Sequence, residues 1–123
     1  MKLHRESATS LNTFTGYGEG YVKVNNQRFE KSVVVLPERI VLDWPATSFD
    51  ALTADHLALL VGLGREIVLL GTGARLRFPH PEILKPLIQA GIGVEVMDVQ
   101  AACRTYNILM AEERRIAAAL LLG

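Results

Sequence analysis

Gly71-Thr72-Gly73 is the stretch with the clearest chemical potential. It follows the short apolar, β-branched run Ile67-Val68-Leu69-Leu70. Glycines at the carboxyl end of a parallel strand can bring backbone amides onto a small anion or carboxylate. The dinucleotide-binding fingerprint would need a third glycine near position 76, where Leu76 stands, and a helix opening at once, yet Phe78-Pro79-His80-Pro81 intervenes. No Gly-Lys-Ser/Thr follows either, so a phosphate loop of the Walker type is excluded. Two readings stand: a small-ligand or anion loop, and a tight turn that needs glycine dihedrals. Asp98, after the second apolar run Gly93-Val94-Glu95-Val96-Met97, could face the same crevice as a base, but no histidine follows it and a helix N-cap explains it better. Glu95 lies between Val94 and Val96, so its carboxylate must be paired or reach the surface; an ion pair with Arg75, Arg77 or Arg104 is expected. Cys103, the only cysteine, sits beside Arg104, which would lower a thiol pKa, yet it falls on an apolar stripe and reads as a small buried hydrophobe. His4, His56 and His80 are scattered and make neither metal-ligand spacing nor a nucleophile's base. No catalytic residue, metal or cofactor is assigned.

The elements that must position these residues are legible from periodicity. The two apolar runs, separated by a helix-length segment, are the signature of a βαβ unit over 66–98 with a buried parallel pair. Within it Pro81 suits a first helical turn and Ile83, Leu84, Leu87 and Ile88 make the buried stripe, while Pro86 would remove a backbone bond at about 3 kcal/mol in an ordinary helix interior. Residues 11–43 read as a meander of short strands, with Asn25-Asn26 tolerating the positive φ of a hairpin turn and Val33 to Leu36 a buried strand. A helix capped by Thr53 should run to about Gly62 or Leu63. After Asp98, a helix carries the stripe Val99, Ala102, Cys103, Tyr106, Leu109 and Met110. Propensity alone would extend that helix through Ala117-Ala118-Ala119 to the C-terminus.

With 123 residues the chain has the length of a single α/β domain, spanning 1–123, with a core of its own. Half the residues are hydrophobic, and 13 basic side chains balance 13 acidic ones without a block of either sign, so a polyanion such as nucleic acid is not an expected partner. The single cysteine, the absence of an apolar stretch after Met1-Lys2-Leu3-His4-Arg5-Glu6-Ser7, and apolar runs far below the ~18 residues of a membrane span lead to the expectation of a cytoplasmic protein that does not cross a membrane.

Leu69 to Gly73, Phe78-Pro79, Gly91 to Asp98 and Ala101 to Leu109, with Gly20-Tyr21, Val33 to Pro37 and Trp44, resemble the domain-of-unknown-function family that includes the mitochondrial complex I assembly factor 3 and its small bacterial and archaeal relatives. The resemblance implies a three-layer α/β domain with a mixed central sheet, an N-terminal β-rich layer, and a last strand, Arg115 to Leu122, antiparallel to the others. It places Tyr106 in the core with its hydroxyl partnered, and Asn107 on the backbone of an adjoining loop. The family's glycine near the end of the third helix is replaced here by Glu113, in Glu112-Glu113-Arg114, which takes away the helix breaker. The seven-residue apolar run Ile116 to Leu122 is nevertheless better buried as a strand.

The functional expectation is a non-catalytic domain that binds another protein, by analogy with an assembly or accessory factor of a respiratory or other membrane complex. The alternative is a small-ligand or anion binder, or a minor enzyme, using Gly71, Thr72, Gly73 and Asp98. Arg104 and Asn107 complete the candidate ligand or partner residues. Weak self-association through the N-terminal strands or through Leu87 and Ile88 is the third expectation.

Overall fold

The computed structural model describes residues 11–123. The reading of Met1 to Ser7, His4 included, lies outside them. Among the described residues two sheets carry the strands. β1 (Phe14–Gly18), β2 (Tyr21–Val24) and β3 (Gln27–Phe29) form a three-stranded antiparallel sheet in chain order. Asn25 and Asn26 make the tight turn between β2 and β3 with φ of 50° and 69°, the left-handed pair that matches the twist of a hairpin. β4 (Val33–Leu36) and β5 (Arg39–Val41) belong instead to a second, five-stranded sheet with β6 (Ile67–Gly71), β7 (Gly93–Met97) and β8 (Ile116–Leu120), in the order β5-β4-β8-β6-β7. The N-terminal meander is thus divided between two layers. Val33 to Leu36 is apolar at every position, which only a strand covered on both faces can use.

Among the described residues three helices complete the fold: α1 (Ala54–Val61), α2 (Pro81–Gln89) and α3 (Val99–Ala111). β6 and β7 pair in parallel, Ile67 opposite Gly93 through Gly71 opposite Met97, with α2 as the crossover. The chain then returns across β6 to place β8 on its far side, also parallel to β6. Because crossovers between parallel strands are right-handed, an outward step and a return step put their helices on opposite faces. α1 and α2 accordingly cover one face, with Leu57, Leu60 and Leu87 against Val68, Leu70, Ala117 and Ala119. α3 and the three-stranded sheet cover the other, where Phe14, Val22, Val24, Ala102, Cys103 and Tyr106 meet Val33, Val35, Leu69, Ala118 and Leu120. This is a three-layer α/β fold.

The last strand is antiparallel to β4 only; against β6 it is parallel, a correction to the expectation that it opposes the others. The reason is its place at the centre of the sheet, where it joins the antiparallel β4-β5 pair to the parallel βαβ unit. β7, expected to be one of a buried parallel pair, lies at the edge of the sheet. Glu113 does not abolish the end of α3. It takes φ of 63° itself, and the Glu113 and Arg114 amides donate to the Met110 and Leu109 carbonyls at 2.9 and 3.0 Å, the paired bonds of a left-handed helix C-cap. α2 runs on through Pro86 to Gln89. Leu87, one of two residues proposed for self-association, is fully buried; Ile88 is 59% exposed.

Candidate functional site

The Gly71-Thr72-Gly73 turn connects β6 to the α2 side of the sheet while β7 delivers α3 to the other, so its position is the switch point where open α/β sheets hold ligands. Here that crevice is laced shut. The Thr72 amide donates to the Met97 carbonyl and the Val99 amide to the Gly73 carbonyl, each at 2.9 Å. The Thr72 hydroxyl, buried, donates to the Arg75 carbonyl at 2.9 Å, lies 3.3 Å from the Met97 carbonyl, and accepts from the Arg77 amide at 3.1 Å. It is the peg around which loop 72–77 folds. Gly71 lets α3 approach: a Cβ there would stand 2.8 Å from Leu120 Cδ2 and 3.3 Å from the Val99 Cα. Gly73 holds φ of 109°, a conformation L side chains rarely adopt. Asp98 Oδ1 accepts from the Ala101 amide at 2.8 Å and caps α3, as its sequence position implies.

A cavity of about 610 Å³ opens beside this turn, between Gly73, Ala74, the first residues of α3, the β1-β2 turn from Tyr17 to Gly20, and Leu121 and Leu122. Of the six candidate residues only Gly73 lines it. Gln100 Nε2 reaches the Tyr17 hydroxyl at 3.4 Å, and among the described residues Glu19 is the only charged side chain in its lining. Tyr17 and Gln100 are 83 residues apart on different layers, and neither carries a local signal that sequence reading could use.

The remaining candidates act elsewhere. Asn107 clamps β1, its Oδ1 accepting from the Phe14 amide at 2.9 Å and its Nδ2 donating to the Phe14 carbonyl at 2.8 Å. The amide thus imitates a strand neighbour, and its partner is a strand where a loop was expected. Tyr106 donates to the Asn12 carbonyl at 2.9 Å and packs edge-on against Phe14, ring centroids 5.0 Å apart. Arg104 is exposed on α3. Cys103 is buried, and desolvation pushes its thiol up to about 12 although Arg104 pulls the other way, so it is protonated and inert. His56 and His80 serve as helix caps, Nδ1 accepting from the Thr53 and Glu82 amides at 3.1 and 3.2 Å.

One carboxylate differs from expectation, and another forms a pair that the sequence did not signal. Glu95 has no arginine partner among the described residues; Arg77 pairs with Asp50 at 2.7 Å instead. As a residue of the edge strand it reaches solvent. Glu66, exposed, accepts from Arg114 Nε at 2.9 Å, and the hydrogen bond from Arg114 followed by that from the Arg115 amide holds its carboxyl below the usual value. This pair fastens the α3-β8 turn to the start of β6.

Residues 14–121 match the family described as protein of unknown function, DUF498/DUF598. The chain belongs to that family. A protein from Bordetella parapertussis of known crystal structure is 50% identical, superposes with a TM-score of 0.85, and is matched over 93% of this chain and 98% of its own. NADH dehydrogenase (ubiquinone) 1 alpha subcomplex assembly factor 3 of Xenopus tropicalis is 35% identical over 122 residues, 98% of this chain and 66% of that protein, so the chain spans about two thirds of the vertebrate relative's length. The 13 kDa major membrane protein of Francisella tularensis is 29% identical over 118 residues, 94% of this chain and 95% of that one. Among the described residues no helix is long and apolar enough to cross a membrane.

Proposed function

We propose that this chain is a non-catalytic protein-binding domain that acts as an assembly or accessory factor for a respiratory or other membrane complex. The observation that carries the reading is the 35% identity, along 98% of the chain, to a protein named as an assembly factor of NADH dehydrogenase. The Francisella relative of similar length is named as a membrane protein, in keeping with a partner in a membrane complex. Chemistry of the candidate residues fits the same role. Thr72, Asp98, Asn107 and Cys103 are each consumed by packing, capping or clamping. Leu76 and Phe78, 47% and 72% exposed on the loop after β6, give the surface apolar anchors of the kind that interfaces bury. Affinity capture of the tagged chain from native lysate, with label-free quantification, should return one reproducible subunit of a membrane complex. Recovery of chaperones alone would count against the role.

The cavity beside Gly73 favours a second reading, a small ligand held by Tyr17, Gln100 and the exposed backbone of the β1-β2 turn. A thermal-shift screen tests it, since a ligand of the native state raises the melting temperature. A Gln100→Trp variant that still responds to the same hit would exclude this pocket.

A further inference from the structure

The hydrogen bonds at the two ends of β7 define which way its backbone points. The Gly93 amide donates to the Glu66 carbonyl and the Met97 carbonyl accepts from the Thr72 amide, both across the β6 side. Amide and carbonyl of one strand residue face the same way and alternate along the chain, so Gly93, Glu95 and Met97 face β6 and Val94 and Val96 face outward. β7 is the terminal strand of its sheet, and among the described residues nothing pairs with those two amides and two carbonyls. The side chains alternate in the other direction. Val94 and Val96 pack toward the face covered by α1 and α2, leaving Glu95 on the opposite face, where it is exposed.

We infer that the open edge of β7 takes an extended segment of a partner protein, two apolar residues flanking a lysine or arginine, as a sixth strand. This rests on the protein-binding reading above and names its surface. An antiparallel segment would make four backbone hydrogen bonds with Val94 and Val96 and set its middle residue opposite Glu95. A second copy of this chain is the wrong occupant. Two-fold pairing that uses both valines places Glu95 against its own copy in the close, non-hydrogen-bonded pair, where Cα atoms are about 4.5 Å apart and like charges repel. Glu95 thus guards the edge against self-pairing and selects a basic residue.

The test uses the ¹⁵N-labelled full chain and two capped peptides, Thr-Val-Lys-Val-Thr and Thr-Val-Glu-Val-Thr, at up to about 10 mM, since so short an edge binds weakly. The lysine peptide should shift the Val94 and Val96 amide resonances and slow their hydrogen exchange. The glutamate peptide should bind roughly five-fold more weakly or worse, and Glu95→Lys should reverse the ranking. Glu95 is exposed, so that variant retains its fold, which its spectrum reports directly. Glu95→Val should sediment as a larger species than the parent at equal concentration. Unmoved Val94 and Val96 amides, or the same peptide ranking in Glu95→Lys, overturn the inference. If a lysate partner binds while those amides stay unmoved, the edge is wrong and the assembly role stands; if the lysine peptide binds and no partner is recovered, the reverse holds.

Discussion

Glu113→Gly should make this protein more stable, although it deletes a side chain and adds a flexible residue. Glu113 occupies the left-handed position of the α3 C-cap with φ of 63°, and it is exposed. An L residue in that conformation is disfavoured by roughly 1–2 kcal/mol, which glycine relieves. Glycine also gains about 0.5–1 kcal/mol of entropy in the unfolded chain, leaving a net stabilisation centred on about 0.75 kcal/mol. For a chain of this size that corresponds to roughly 2–5 °C in Tm. The glutamate is also a negative charge at a helix C-terminus, worth about 0.3 kcal/mol or more against it, so Glu113→Ala is the necessary control. Alanine removes the charge and keeps the Cβ. Urea unfolding of the parent and both variants should show an unchanged m-value, a small gain at most for alanine, and a larger gain for glycine. A glycine variant no more stable than the alanine variant would refute the claim that the turn into β8 stores backbone strain.

Other consequences are as direct. Asn107→Ala leaves the Phe14 amide and carbonyl without their clamp and should destabilise by about 1–3 kcal/mol, with hydrogen exchange rising first in β1. Gly71→Ala drives a Cβ into Leu120 and the Val99 backbone and should cost about 1–3 kcal/mol in a denaturant titration. The Cys103 thiol, pushed up to about 12, should resist a disulfide exchange reagent at pH 8 until the chain unfolds, so its labelling rate should follow denaturant concentration and not thiolate chemistry. Glu66, whose carboxyl the hydrogen bonds from Arg114 and the Arg115 amide hold below its ordinary value in the folded state, contributes stability that is present above that ordinary value and lost as pH falls through the lower folded one. Glu66→Gln should therefore flatten the acid limb of the stability curve and leave the limb above pH 7 unchanged.

The parallel pairing of Ile67 to Leu70 with Val94 to Met97 was legible in sequence because two β-branched runs around one helix have few other ways to bury themselves. The helix caps Thr53 and Asp98 and the Asn25-Asn26 turn were legible for a similar reason: each acts over two or three residues, within reach of a local pattern. The candidate site was read less well. Thr72 and Asp98 have the right types for binding, and what spends them is a set of carbonyls and amides supplied by the loop, β7 and α3. Tyr17 and Gln100 meet only because the β1-β2 turn packs beside α3, a contact that no spacing along the chain encodes.

Residue types by themselves determined that 116–122 must be buried, since a run with no polar face has nothing to offer water. They did not determine its shape. Ala117-Ala118-Ala119 are the strongest helix formers, yet they stand in the central strand, closed in by β4 on one side and β6 on the other. Backbone bonding on both edges and cover on both faces outweigh a propensity worth under about 1 kcal/mol per residue. The edge position of β7 is the same kind of fact. Whether Glu95 finds an arginine or solvent depends on which strand ends the sheet, and only the assembled layers decide that.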